Sequence, residues 1–90
     1  MTRYVVSPDA AFAALPDGGV VLHLRTKRYF SLNETAAAIW SLLEASAAPE
    51  EIVERLARTY EVDAAAAARS LERLLAELAR EELVTVESPP

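Results

Sequence analysis

The chain has 90 residues, 52% of them hydrophobic, and a formal net charge of -5. That length supports one small core and not two, and the negative balance works against any partner held through its phosphates, so nucleic acid is not expected as a ligand. With no cysteine and a single histidine, His23, disulfides and thiolate metal sites are excluded, and any other metal site lacks its usual anchors.

In chain order, Tyr4-Val5-Val6 is a short aromatic and β-branched run stopped by Ser7-Pro8, which predicts a first strand. Asp9 to Leu15 is alanine-rich with Phe12 and Leu15 three apart, a pattern that fits a loop or one helical turn leaning on the core. Pro16-Asp17-Gly18-Gly19 marks a turn. Val20–Leu24 and Arg28–Leu32 then read as two strands of a hairpin. With Arg25-Thr26-Lys27 as the loop, Leu24 faces Arg28, Leu22 faces Phe30 and Val20 faces Leu32, so the large apolar side chains share one face and His23 lies on the other. This register places Lys27 in the left-handed position where such loops prefer glycine.

Asn33 followed by Glu34-Thr35-Ala36 has the form of a helix cap with an acidic first turn, and Ala36, Ile39, Trp40, Leu42 and Leu43 recur at helical spacing. A first helix is therefore predicted over 34–45. Pro49-Glu50-Glu51 opens a second with Ile52, Val53, Leu56 and Tyr60 on one stripe. Asp63 can cap a third and longest helix from Ala64 to about Glu81, with Ala67, Leu71, Leu74, Leu75 and Leu78 inward. Leu83–Val86 is a candidate terminal strand, and 88–90 a disordered tail to a single domain over 1–87. The fold class expected is α+β, winged helix-turn-helix-like, with a three-stranded antiparallel sheet followed by three helices.

No stretch approaches the ~20 apolar residues of a membrane span, and the start carries no signal-like apolar run, so a cytoplasmic protein without a membrane partner is expected. Nothing in the pattern is catalytic. His23 has no local nucleophile or orienting carboxylate and reads as a solvated or satisfied surface residue. Arg69, Arg73 and Arg80 line one side of the third helix, but Glu72, Glu77, Glu81 and Glu82 interleave with them. That side reads either as a salt-bridged solvent face or as a peptide-contacting one. Lys27, Arg28 and Tyr29 could simply discourage edge-to-edge pairing. The composition of Tyr29-Phe30-Ser31-Leu32, short, apolar and at an edge, favours instead a strand that accepts an extended peptide.

The ordered runs Pro16-Asp17-Gly18-Gly19-Val20-Val21-Leu22, Arg25 to Ala36, Ile39-Trp40-Leu42-Leu43, Leu56 to Tyr60, Val62-Asp63 and Leu74-Leu75-Leu78-Leu83-Val84 resemble the PqqD-like family over nearly the whole chain. The resemblance is nearest to the stand-alone recognition proteins of lasso-peptide biosynthesis. It implies a non-enzymatic, cofactor-free protein that binds a precursor's leader peptide as an added strand between the third strand and the third helix. The leaders of such systems typically offer a tyrosine and, three residues on, a proline as anchors. It implies a transglutaminase-like cysteine leader peptidase as partner, and leaves open a contact with the lasso cyclase.

Carried onto this chain, the leader pairs with Arg28, Tyr29, Phe30, Ser31 and Leu32. Its anchors meet the uncommitted side of the third helix, Ala66, Arg69, Ser70, Arg73, Leu74 and Glu77. Lys27, where the family often has glycine, is a departure that leaves the loop type open. Two other readings stand beside this one: a peptide chaperone for a radical enzyme in quinone-cofactor synthesis, and an acidic winged-helix DNA-binding or regulatory domain.

Overall fold

A computed structural model describes residues 3–87, so the expected tail at 88–90 lies outside the described residues. The elements run β1 (Arg3–Val6), β2 (Ala10–Leu15), β3 (Gly18–His23), β4 (Tyr29–Asn33), α1 (Glu34–Glu44), α2 (Pro49–Tyr60), α3 (Ala64–Arg80) and β5 (Val84–Glu87). The class is α+β as expected, a three-stranded antiparallel sheet of order β2-β3-β4 followed by three helices. The strand at 3–6 is not part of that sheet. It pairs antiparallel with β5, Tyr4 opposite Val86 and Val6 opposite Val84, in a separate two-stranded ribbon.

The sheet is completed instead by 10–15, the stretch read from sequence as loop or helical turn. Alanine carries little strand preference, but Pro16 and Asp17 close a tight hairpin in which Leu15 faces Gly18 and Phe12 faces Val21. Phe12 then stacks on Trp40 of α1, ring centroids 6.3 Å apart and planes 28° from parallel. A side chain at Gly19 would run into the Phe12 ring, and Gly18, at φ 148, passes against the backbone of Leu32 and Asn33. Tertiary pairing therefore overrides local propensity here. Gly19→Val is expected to lose about 1–3 kcal/mol of stability through overpacking. In urea denaturation, Gly19→Val combined with Phe12→Ala should cost less than the two single changes added, because the second removes the ring that the first strikes.

The β3–β4 register is one residue away from the sequence expectation. Leu22 faces Tyr29, Val21 faces Phe30 and Val20 faces Ser31. The loop spans 24–27: the Lys27 N–H donates to the His23 carbonyl at 2.8 Å, and the His23 N–H donates to the Arg28 carbonyl at 2.8 Å. Lys27 does adopt the left-handed conformation, at φ 64. A slip of one residue exchanges the faces of a strand. Val21 and His23 thus point inward, His23 only 1% exposed, while Leu22 and Leu24 stand outside at 36% and 46%.

The expectation of a surface histidine is corrected accordingly. His23 Nδ1 accepts from the backbone N–H groups of Arg25 (3.2 Å) and Thr26 (3.4 Å). The imidazole thus satisfies two backbone donors of the loop. Its Nε2 is buried without a partner.

The helices start where their caps predict. Asn33 Oδ1 accepts from the Ala36 N–H at 2.8 Å, Asp63 Oδ1 accepts from the Ala66 N–H at 2.7 Å, and Pro49 opens α2. Their inner faces, with Ile39, Trp40, Leu43, Ile52, Leu56, Ala67, Leu71, Leu75 and Leu78, close the core against Val21 and Leu32. Leu74, expected in the core, is only half-buried. Arg25 pairs with Glu82 at 3.2 Å and Arg28 with Glu81 at 3.3 Å, so the hairpin loop is tied to the end of α3. No helix among the described residues is long and apolar enough to cross a membrane.

Candidate peptide-binding edge and groove

The direction of each backbone group on β4 follows from two bonds. The His23 N–H goes to Arg28 and the Leu24 N–H goes to Asp9, both at 2.8 Å. Odd-numbered residues of β3 therefore bond to β4 and even-numbered ones to β2. With Val21 opposite Phe30 and Gly19 opposite Leu32, the Arg28 carbonyl and the backbone groups of Phe30 and Leu32 are used inside the sheet, while the Arg28 N–H donates to Thr26 Oγ1. Those of Tyr29 and Ser31 point the other way. Among the described residues no strand pairs on that side, because β4 ends the sheet order. The side chains alternate too: Leu32 is buried and Phe30 half-buried against the core, whereas Tyr29 is 73% exposed and Ser31 is exposed. The edge ends at Asn33, whose side chain is committed to capping α1.

Where β4 gives way to α1, a groove of about 300 Å³ opens toward α3. Asn33, Thr35, Ala36 and Ile39 form one wall, and Ser70, Arg73, Leu74 and Glu77 the other. A neighbouring hollow of about 210 Å³ shares Thr35 and Ser70 with it and continues over Tyr60, Val62 and Ala66. Of the α3 residues singled out from sequence, Ser70, Arg73, Leu74 and Glu77 thus meet in the groove. Ala66 lies in its continuation, and Arg69 lines neither hollow.

Arg28 has its side chain turned to Glu81. The α1 wall was not anticipated. Its signal was present in the Asn33 cap, which forces the first turn of α1 to start at the end of β4 and so to border the same space.

The salt-bridged solvent face considered for α3 is not what forms. Glu81 and Glu82 are taken by Arg28 and Arg25, and the remaining ion pairs among the described residues join Arg55 to Glu51, Arg58 to Glu54 and Arg25 to Asp9. None involves Arg69, Arg73 or Arg80. The groove therefore presents one cation, Arg73, and one carboxylate, Glu77, over an apolar floor of Ile39 and Leu74. An open strand edge beside such a groove suits an extended peptide, with main-chain bonds on one side and side-chain pockets on the other.

Two solved structures share this architecture. One, "TbiB1 in Complex with the TbiA(beta) Leader Peptide", is 40% identical, with a TM-score of 0.84 over 89% of this chain and 93% of that one. The other, "Lasso peptide synthetase B1 complexed with the leader peptide", is 28% identical, with a TM-score of 0.84 over 92% and 98% of the two chains. No curated protein matches the chain. Residues 18–84 match the family described as "Coenzyme PQQ synthesis protein D (PqqD)", a span from the start of β3 to the start of β5 that takes in the β4 edge and both walls of the groove. The chain belongs to the PqqD family.

Proposed function

We propose that this protein is a non-catalytic recognition element that captures the leader of a ribosomally made precursor by strand addition to β4, and delivers the attached core peptide to a processing peptidase in lasso-peptide biosynthesis. The observation that carries the reading is the unpaired edge at Tyr29 and Ser31 beside the groove of α1 and α3. It is supported by the similarity to two proteins whose structures hold a leader peptide. The leader's main chain bonds to Tyr29 and Ser31, and its anchoring side chains enter the groove at Ser70, Arg73, Leu74 and Glu77. Holding the leader raises the local concentration of the core peptide at the enzyme.

Titrating the labelled protein with the leader of the precursor encoded beside it tests the capture step by NMR. Amide shifts concentrated at 29–33, 35–39 and 70–77 are the expected result. Saturable binding that leaves these residues unmoved would refute the site, and a response to duplex DNA centred on Arg69 and Arg73 instead would favour the winged-helix DNA reading. The family's name also fits a client in quinone-cofactor synthesis. Titration with a precursor of that type separates the two clients, since tight binding of it and none of the lasso leader would reverse the assignment.

The delivery step has its own surface in this reading. Tyr29, 73% exposed, Leu15 at 54%, Leu24 at 46% and Leu22 at 36% lie on the outer face of the sheet. A leader strand on β4 would extend that face, so a peptidase seated there meets the sheet and the leader as one apolar surface. Leu24→Glu is expected to leave leader affinity within about twofold while slowing peptidase cleavage of the bound precursor by about tenfold or more, the loss of one hot-spot contact. Unchanged cleavage would exclude this face.

A further inference from the structure

A second groove lies on the flank of α3 turned away from the leader site. It is the larger of the two, about 390 Å³, and opens between α2 and α3. Its α3 residues are Ala68, Leu71, Glu72 and Leu75, which at 3.6 residues per turn fall nearly opposite Ser70, Arg73, Leu74 and Glu77. Both grooves can therefore be filled at once. The floor is apolar and fixed, since Leu71 and Leu75 are core residues and Val53 packs on the same cluster.

The rim is of the opposite character. Glu50 rises from the first turn of α2 and Glu72 from the middle of α3. Among the described residues neither takes part in an ion pair, the cations of α2 being spent on Glu51 and Glu54. Glu72 also has no helix N-terminus to favour it, unlike Glu50. Tyr4 of β1, half-buried, completes the wall.

An apolar slot with two carboxylates at its mouth and an aromatic ring beside it selects a particular side chain. A purely aliphatic group would satisfy the floor and strip water from the carboxylates without return. An anionic surface is repelled, both by this rim and by the net charge of -5. Arginine meets every part of the site: its methylene stem lies on Leu71, Leu75 and Val53, its planar guanidinium forks toward carboxylates, and it stacks on aromatic rings.

We propose that the groove between α2 and α3 docks an arginine side chain presented by a partner protein, independently of the leader on β4. Beside the edge that reads an extended peptide and the outer sheet face proposed for the peptidase, the protein then has a third surface, which reads a basic point on a folded partner.

An acetylated and amidated leucine-arginine-leucine tripeptide is the probe, with its citrulline counterpart as the uncharged match of equal shape. NMR titration of the full chain should give saturable amide shifts centred on Tyr4, 50–53, Ala68, 71–72 and Leu75, with Thr35, Ala36, Ser70 and Glu77 of the leader groove unmoved. The citrulline peptide should bind at least about fivefold more weakly, and Glu72→Gln, a surface change that leaves the spectrum dispersed, should erase the difference. Equal binding of the two tripeptides, shifts scattered over acidic residues generally, or a Glu72→Gln variant that still prefers arginine would each overturn the proposal. The leader titration on the same sample reports on the β4 site separately, so failure at one groove is not failure at the other.

Discussion

Replacing Ser31 by proline is expected to leave the fold intact and weaken leader binding about ten- to a hundredfold. Both halves of that result follow from the direction of one amide. The ladder alternation fixed by the His23 and Leu24 bonds turns the Ser31 N–H away from β3, so proline removes no hydrogen bond of the sheet. An edge strand with its amide outward is where proline is tolerated, and the preceding Phe30 is already extended within β4, as the ring requires. The bound leader loses a donor, one of its carbonyls is left facing the ring, and the strand is held off by the ring's bulk. An unpaired group of this kind costs about 1–3 kcal/mol, and each 1.4 kcal/mol is tenfold in affinity. Ser31→Ala keeps the amide and should bind within about twofold, which separates the main-chain contribution from the hydroxyl. Calorimetry with the leader reads the affinities and circular dichroism the fold. A folded Ser31→Pro variant that binds like the parent would remove strand addition as the mode of capture.

The elements that carry this site differ in how far the sequence announced them. The helices were legible because each start is marked by a local chemical device, Asn33, Pro49 and Asp63, and each end by a break in apolar spacing. β4 was legible from composition as an edge strand over 28–32, one residue from its observed 29–33, and the α3 wall in part, since Ser70, Arg73 and Glu77 lie outside the apolar stripe while Arg69 on that side misses the groove. β2 was not, since alanine has no preference strong enough to declare a strand, and what makes 10–15 one is Phe12 reaching across to Trp40 over the gap left by Gly19.

The register of β3 was missed for a related reason. Maximising large apolar side chains on one face put Leu22 inward. The protein instead buries His23, whose Nδ1 collects two loop amides, and leaves the leucines outside. Apolar pattern alone predicts the wrong face when the outer face is itself apolar. In the function proposed above that outer face receives the peptidase, and on that proposal the local rule fails where the surface has a use.

The core behind the site sets the second large effect. Trp40→Ala is expected to cost about 3–5 kcal/mol, a large part of the roughly 5–15 kcal/mol available to a domain. Trp40 is 0% exposed and its ring is the surface on which Phe12 rests, so truncation opens a cavity beneath β2 that the alanine-rich strand has no bulk to fill. Trp40→Phe should cost far less, under about 1.5 kcal/mol. It keeps an aromatic partner for Phe12, and it removes the indole Nε1, which is buried without a hydrogen-bond partner and so is a liability in the parent. The order of the two variants in urea denaturation tests this account; equal losses would mean that the indole's shape, and not its bulk against Phe12, is what the core requires. The consequence reaches the groove, because Ile39, next to Trp40 on α1, forms part of its wall. At concentrations where both variants are folded, Trp40→Phe should bind leader like the parent, and Trp40→Ala more weakly as α1 loses the stack that holds it against the sheet.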